Sequence, residues 1–111
     1  MLVLAQNINL FADIHRWDNG QVIPGTEGIM LGPRLQLDHR ELEFANLFST
    51  DLSGSHFDFA NLSNADLSVS TLADATLSGA NLSNANLFFS MLTNTDLTGA
   101  VVLGTNFWSI R

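Results

Sequence analysis

Ala60-Asn61-Leu62-Ser63-Asn64-Ala65-Asp66-Leu67-Ser68-Val69 contains the same five-residue unit twice, and Ala80-Asn81-Leu82-Ser83-Asn84-Ala85-Asn86-Leu87 brings it back twenty residues later. Stepping outward from this stretch by five meets Leu42, Leu47, Leu52, Phe57, Leu62, Leu67, Leu72, Leu77, Leu82, Leu87, Leu92, Leu97, Val102 and Phe107, all large and apolar. In a chain that is 46% hydrophobic, such a series in one frame arises by chance about once in fifty thousand trials. Two residues before each member stands a small one, from Ala45, Thr50 and Ser55 through to Ala100 and Thr105, and only Arg40 breaks this second series.

A period of five fits neither an amphipathic helix nor a half-buried strand, and the Asn, Gly and Ser content argues against helix. The spacing describes a chain that turns a corner every few residues and points one large and one small side chain inward on each short side. Such a coil buries its apolar row only by stacking on itself, as a parallel β-solenoid does.

The units Ala60-Asn61-Leu62, Ala65-Asp66-Leu67, Ala80-Asn81-Leu82 and Ala85-Asn86-Leu87 resemble the A-(D/N)-L-x-x unit of the pentapeptide-repeat family, and the resemblance extends over residues 40–109. It implies an all-β fold, a right-handed quadrilateral parallel β-helix with four pentads per turn, so that residues twenty apart lie one above another in about three and a half coils. The chain accordingly divides into a non-repeating N-terminal cap, residues 1–39, and a solenoid, residues 40–111. Within the cap, Ile14-His15-Arg16-Trp17, Asp18-Asn19-Gly20 and Gln21-Val22-Ile23 read as a β-hairpin, because Asn-Gly supplies the positive backbone angles of a tight turn. The stretch from Arg16 to Gly28 also resembles what precedes the repeats in some exported bacterial members of the family, which implies an extracytoplasmic origin.

At 111 residues the chain is long enough for one small domain. It has no cysteine, which excludes disulfides and thiolate metal sites. Its net charge of −7 repels phosphate backbones, so direct nucleic-acid binding is not expected. No apolar run reaches the length of a membrane span, and Met1-Leu2-Val3-Leu4-Ala5-Gln6 lacks the basic flank and length of a secretory signal. A soluble chain is expected, with its compartment undetermined.

No enzyme chemistry is legible. His15, His39 and His56 have no metal-motif spacing, and neither a Ser-His-Asp order nor a phosphate-binding Gly loop occurs. Asp38-His39 beside Glu41 reads as structural, and no cofactor or metal is expected. The acidic residues of the coil, Glu41, Glu43, Asp51, Asp58, Asp66, Asp74 and Asp96, are scattered over several columns, and no stacked pair of carboxylates repeats at twenty.

Twenty-residue stacking sets Phe48, Ser68, Phe88 and Trp108 in one outward column and Ser49, Val69, Phe89 and Ser109 in the next, with Val101 and Leu103 on the neighbouring side. Aromatic residues where the other faces carry Ser, Thr or Asp mark an interface. Its expected members are Phe48, Phe88, Phe89, Val101, Leu103, Phe107 and Trp108. Three occupants are open: the chain's own N-terminal segment, a second copy, or a foreign protein. The sequence stops at Arg111 with no recognisable cap, which leads to the expectation of a homo-oligomer built on the coil around Phe107 and Trp108. The alternative comes from the family, whose acidic members include mimics of duplex DNA that protect gyrase. Against it, three and a half coils at ~4.8 Å reach only ~17 Å, about five base pairs.

Overall fold

The computed structural model describes residues 13–111, and the segment Met1–Gln6 read above lies outside them. Parallel bridges join residues twenty apart in four columns, Gln36–His56–Thr76–Asp96, Glu41–Asn61–Asn81–Val101, Asn46–Asp66–Asn86–Asn106 and Asp51–Thr71–Met91. Each side of the solenoid contributes an isolated bridge in place of an extended strand, because a turn follows within two residues. Each side is joined to the next turn by three backbone bonds, two at the bridge and one at the corner, where Asn64 N–H donates to Ser83 O at 2.9 Å. Leu62 N–H donates to Asn81 O at 2.8 Å, and Asn81 N–H donates to Ala60 O at 2.9 Å.

The row of large residues from Leu37 and Leu42 to Leu87 is fully buried, and Ala45, Ala60, Ala65, Ala75, Ala80 and Ala85 lie beside it at no more than 1% exposure. Where the small inner residue is serine, its hydroxyl has a backbone partner: Ser90 Oγ donates to Leu87 O at 2.6 Å, and Ser55 Oγ accepts from Leu35 N–H at 3.0 Å. No buried side-chain polar atom among the described residues lacks a partner. This is the condition for keeping hydroxyls in an apolar interior.

The corners have a period of their own. The second residue after every central apolar one, from Phe44 to Ser109, has φ between 54° and 72°. The next small residue then closes the turn, as when Ala75 N–H donates to Leu72 O at 2.9 Å. This left-handed position suits Gly54 or Asn64 but costs a β-branched side chain ~1–2 kcal/mol. Val69 holds it at φ 60° with its side chain half-exposed. Val69→Asn is therefore expected to stabilise the chain by ~1 kcal/mol, read as a higher urea midpoint at unchanged slope.

Where Asn or Asp precedes the central residue, its side chain fixes the start of the turn. Asn81 Oδ1 accepts from Ser83 N–H at 3.0 Å and from its hydroxyl at 2.6 Å, and Asp51 Oδ1 accepts from Ser53 hydroxyl at 2.7 Å and N–H at 3.0 Å. These bonds to Ser53, and the matching ones from Thr98, hold the Asp51 and Asp96 carboxyls below the ordinary carboxylate range. A carboxyl whose folded pKa is depressed stabilises the fold above its unfolded value of ~3.9 and loses that contribution as pH falls through the folded value. Urea midpoints are expected to fall on acidification through this window. Asp51→Asn keeps the acceptor and should lessen the fall.

Before the ladder, residues 14–23 double back on themselves. His15 and Val22 form an antiparallel bridge, and Arg16 forms another with Ala45. Asn46 N–H donates to His15 O at 2.7 Å, the role that Ala45 O fills for Asp66 N–H one turn later. The doubled segment thus occupies the edge of the first turn, with Ile14 and Ile23 in the core. The ladder itself reaches back to Gln36, with Leu37 fully buried. Asp38 and Asp58 consequently stand one above the other, which corrects the expectation that no carboxylates stack at twenty.

Candidate interaction surface

The spacing between turns sets the geometry of the aromatic columns. Side chains twenty apart emerge about 4.8 Å from one another along the axis, close to the distance at which rings stack. Trp108 accordingly lies over Phe88, ring centroids 5.7 Å apart at an interplanar angle of 10°. Phe89, one residue on and around the corner, is tilted against Phe88 at 5.9 Å. The Arg111 guanidinium sits 4.5 Å from the centroid of the Phe89 ring. Trp108 is 71% exposed and Phe88 half-buried beneath it.

The remaining interface residues read from the sequence fall in different places. Phe48 is exposed in the same column but is separated from Phe88 by Ser68, which is buried and hydrogen-bonded to Asp66 Oδ1. Val101 and Leu103 are exposed on the adjacent side, Leu103 at 79%. Phe107 packs against the core and is half-buried, so it supports the surface from within. Beside Phe89 runs a shallow groove of about 190 Å³ lined by Ser49, Asp51, Val69, Met91 and Arg111 among others. Met91 and Arg111 were not singled out in the sequence, although their column begins with Asp51 and Thr71 and turns apolar only at its third member.

Two more aromatic groups were not read as surface features in the sequence. Phe59 is 62% exposed and stacks on His39 at 5.3 Å. It lies across Gly79, where a Cβ would fall 2.5 Å from the ring. Trp17 donates from Nε1 to Asn64 O at 2.7 Å and tilts against Phe44, over whose ring Arg16 is placed. Residues 13–34 therefore lie against the first turns and leave the Phe88–Trp108 stack uncovered. The described residues hold no helix long and apolar enough to cross a membrane.

A corner every five residues, stacking at twenty, and one large and one small residue buried on each side together define a solenoid built of pentads. The model of the family "Pentapeptide repeats" matches residues 41–81 and 70–102, in eight copies, and the chain belongs to that family. Solved structures of pentapeptide-repeat proteins are similar to it. HetL, a pentapeptide-repeat protein involved in heterocyst differentiation regulation from the cyanobacterium Nostoc sp. strain PCC 7120, is 26% identical with a TM-score of 0.52, over 76% of this chain and 39% of that one. The Nostoc PCC 7120 protein alr5209 is 34% identical with a TM-score of 0.42, over 65% of this chain and 64% of that one. Rfr23 of the cyanobacterium Cyanothece 51142 is 22% identical with a TM-score of 0.30, over 72% and 78%. No curated protein matches the chain.

Proposed function

We propose that this chain is a non-catalytic protein-interaction module, a right-handed four-sided coil of about three and a half turns, and that it self-associates through the surface centred on Trp108. One observation carries the reading. Trp108 is 71% exposed, yet it is held in a fixed orientation by the Phe88 ring beneath it. An aromatic side chain pre-ordered in this way loses little entropy on docking and offers a large apolar area, the profile of an interface hot spot. Phe89, Val101 and Leu103 extend the patch, while the corresponding positions one turn earlier are Val69, Asn81 and Ser83.

The interior is filled with leucine and alanine, so the described residues offer surfaces and open grooves, the one beside Phe89 and another of about 320 Å³ lined by Trp17, Asn64 and Asn84 among others, in place of an enclosed pocket for a small substrate. HetL, a similar coil, is involved in heterocyst differentiation regulation, which fits a non-catalytic role. The net charge of −7 favours duplex mimicry, and the ~17 Å reach of the coil opposes it. The wild-type chain is expected to form dimers or larger species in sedimentation as its concentration rises. A monomer persisting at high micromolar concentration would remove this reading.

A further inference from the structure

Asp38, His56 and Asp58 converge on the side of the solenoid that carries the Gln36–His56–Thr76 column. Each offers a ligand atom, and these atoms all lie within 4.8 Å of one another on half-buried side chains. Two of the residues come from one turn and the third from the turn before it, so only the twenty-residue stacking brings them together.

The local chemistry explains why the carboxylates are held here. At Asp51, Asn61, Asp66 and Asn81 the residue before the central leucine accepts the N–H two positions on. His56 and Thr76 occupy that position on this side, and neither takes over the bond. The N–H of Asp58 instead donates to Asp38 Oδ1 at 2.8 Å, and the N–H of Ser78 donates to Asp58 Oδ1 at 2.9 Å. Each carboxylate is thereby oriented by the backbone of the following turn through one oxygen, while its second oxygen accepts no hydrogen bond from the described residues. The His56 ring is positioned in turn, with Nδ1 3.4 Å from Thr76 Oγ1. Neither carboxylate has a cationic partner, since the one ion pair among the described residues is Arg16–Asp18.

We propose that Asp38, His56 and Asp58 bind a divalent transition-metal ion, of the Zn²⁺ or Co²⁺ class, which staples two successive turns. One imidazole and two carboxylates form the mixed nitrogen and oxygen set that such ions take. Calcium, which asks for six or more oxygens, is poorly served. Around a bound ion, ligand atoms at ~2.0–2.2 Å from the metal stand about 3.4 Å apart. Side-chain rotations that close the cluster by a little over an ångström suffice. The backbone-held oxygens act as the outer shell that orients metal ligands elsewhere, and the remaining coordination positions go to water.

The full chain, stripped with chelator, would be titrated with Zn²⁺ by calorimetry and with Co²⁺ by visible absorption. Saturable binding of one ion per chain and a melting temperature raised by Zn²⁺ are expected. His56→Gln should weaken Zn²⁺ binding at least tenfold. It leaves both carboxylate hydrogen bonds in place, so its metal-free melting temperature should stay at the wild-type value. Asp38→Asn retains the acceptor for Asp58 N–H and should show the same loss, while His15→Gln should bind like wild type. Absence of saturable Zn²⁺ binding, equal binding by His56→Gln and wild type, or Ca²⁺ binding as tight as Zn²⁺ would each overturn the proposal.

Discussion

Replacing Phe57 by alanine is expected to lower the unfolding free energy by about 3 to 5 kcal/mol, the largest stability loss foreseen for a single truncation in this chain. Phe57 is the largest of the fully buried side chains, and it follows Leu37 and precedes Leu77 in its inward column. Part of the loss is apolar area returned to water, and part is the cavity left behind. The cavity term should be large in this architecture because each turn touches only its neighbours. The interior is also lined by backbone that the ladder holds in register, so no distant element can slide in to fill the space. Urea unfolding followed by circular dichroism gives the number directly. A loss below ~1 kcal/mol would mean that the turn around residue 57 collapses onto the gap, contrary to a rigid stack.

The inner row was legible because its period is strict and no helix or ordinary strand shares it. The corners carried no comparable signal, for a physical reason. The left-handed position is filled by Gly, Asn, Asp and Ser but also by Phe44, Phe59, Val69 and Phe89, since the stacked backbone imposes φ whatever the side chain prefers. Composition therefore carries no clean signal there. The start of the ladder was hidden in a different way. Leu37 is in frame, but the small position before it is occupied by Leu35 and the next by Arg40. Arg40 is tolerated because its side chain is exposed and donates to Gly25 O at 2.7 Å, and Leu35 because it is only partly buried against the core. Losing that one pentad concealed the Asp38–Asp58 pair. The Phe88–Trp108 stack could be found by counting twenty, whereas Phe59 could not, because its column continues as Gly79 and Gly99.

Trp108→Asp carries the largest expected functional effect. The indole is exposed before association, so its replacement should leave the stability of the monomer nearly unchanged. A buried tryptophan contributes an area of ~150–250 Å² to a contact, and truncating such an anchor costs at least ~2 kcal/mol. That corresponds to association weakened about thirtyfold or more. The aspartate also adds negative charge to a chain already at −7, which opposes the meeting of two copies. Phe59→Asp is the matched control. It removes another exposed aromatic ring and adds the same charge at a different corner.

Sedimentation of wild type, Trp108→Asp and Phe59→Asp, each over a concentration series into the high micromolar range, tests the proposed surface most directly. Wild type and Phe59→Asp should associate alike as concentration rises, while Trp108→Asp remains a monomer. A wild-type chain that stays monomeric throughout, or a Trp108→Asp chain that associates as wild type does, would contradict it.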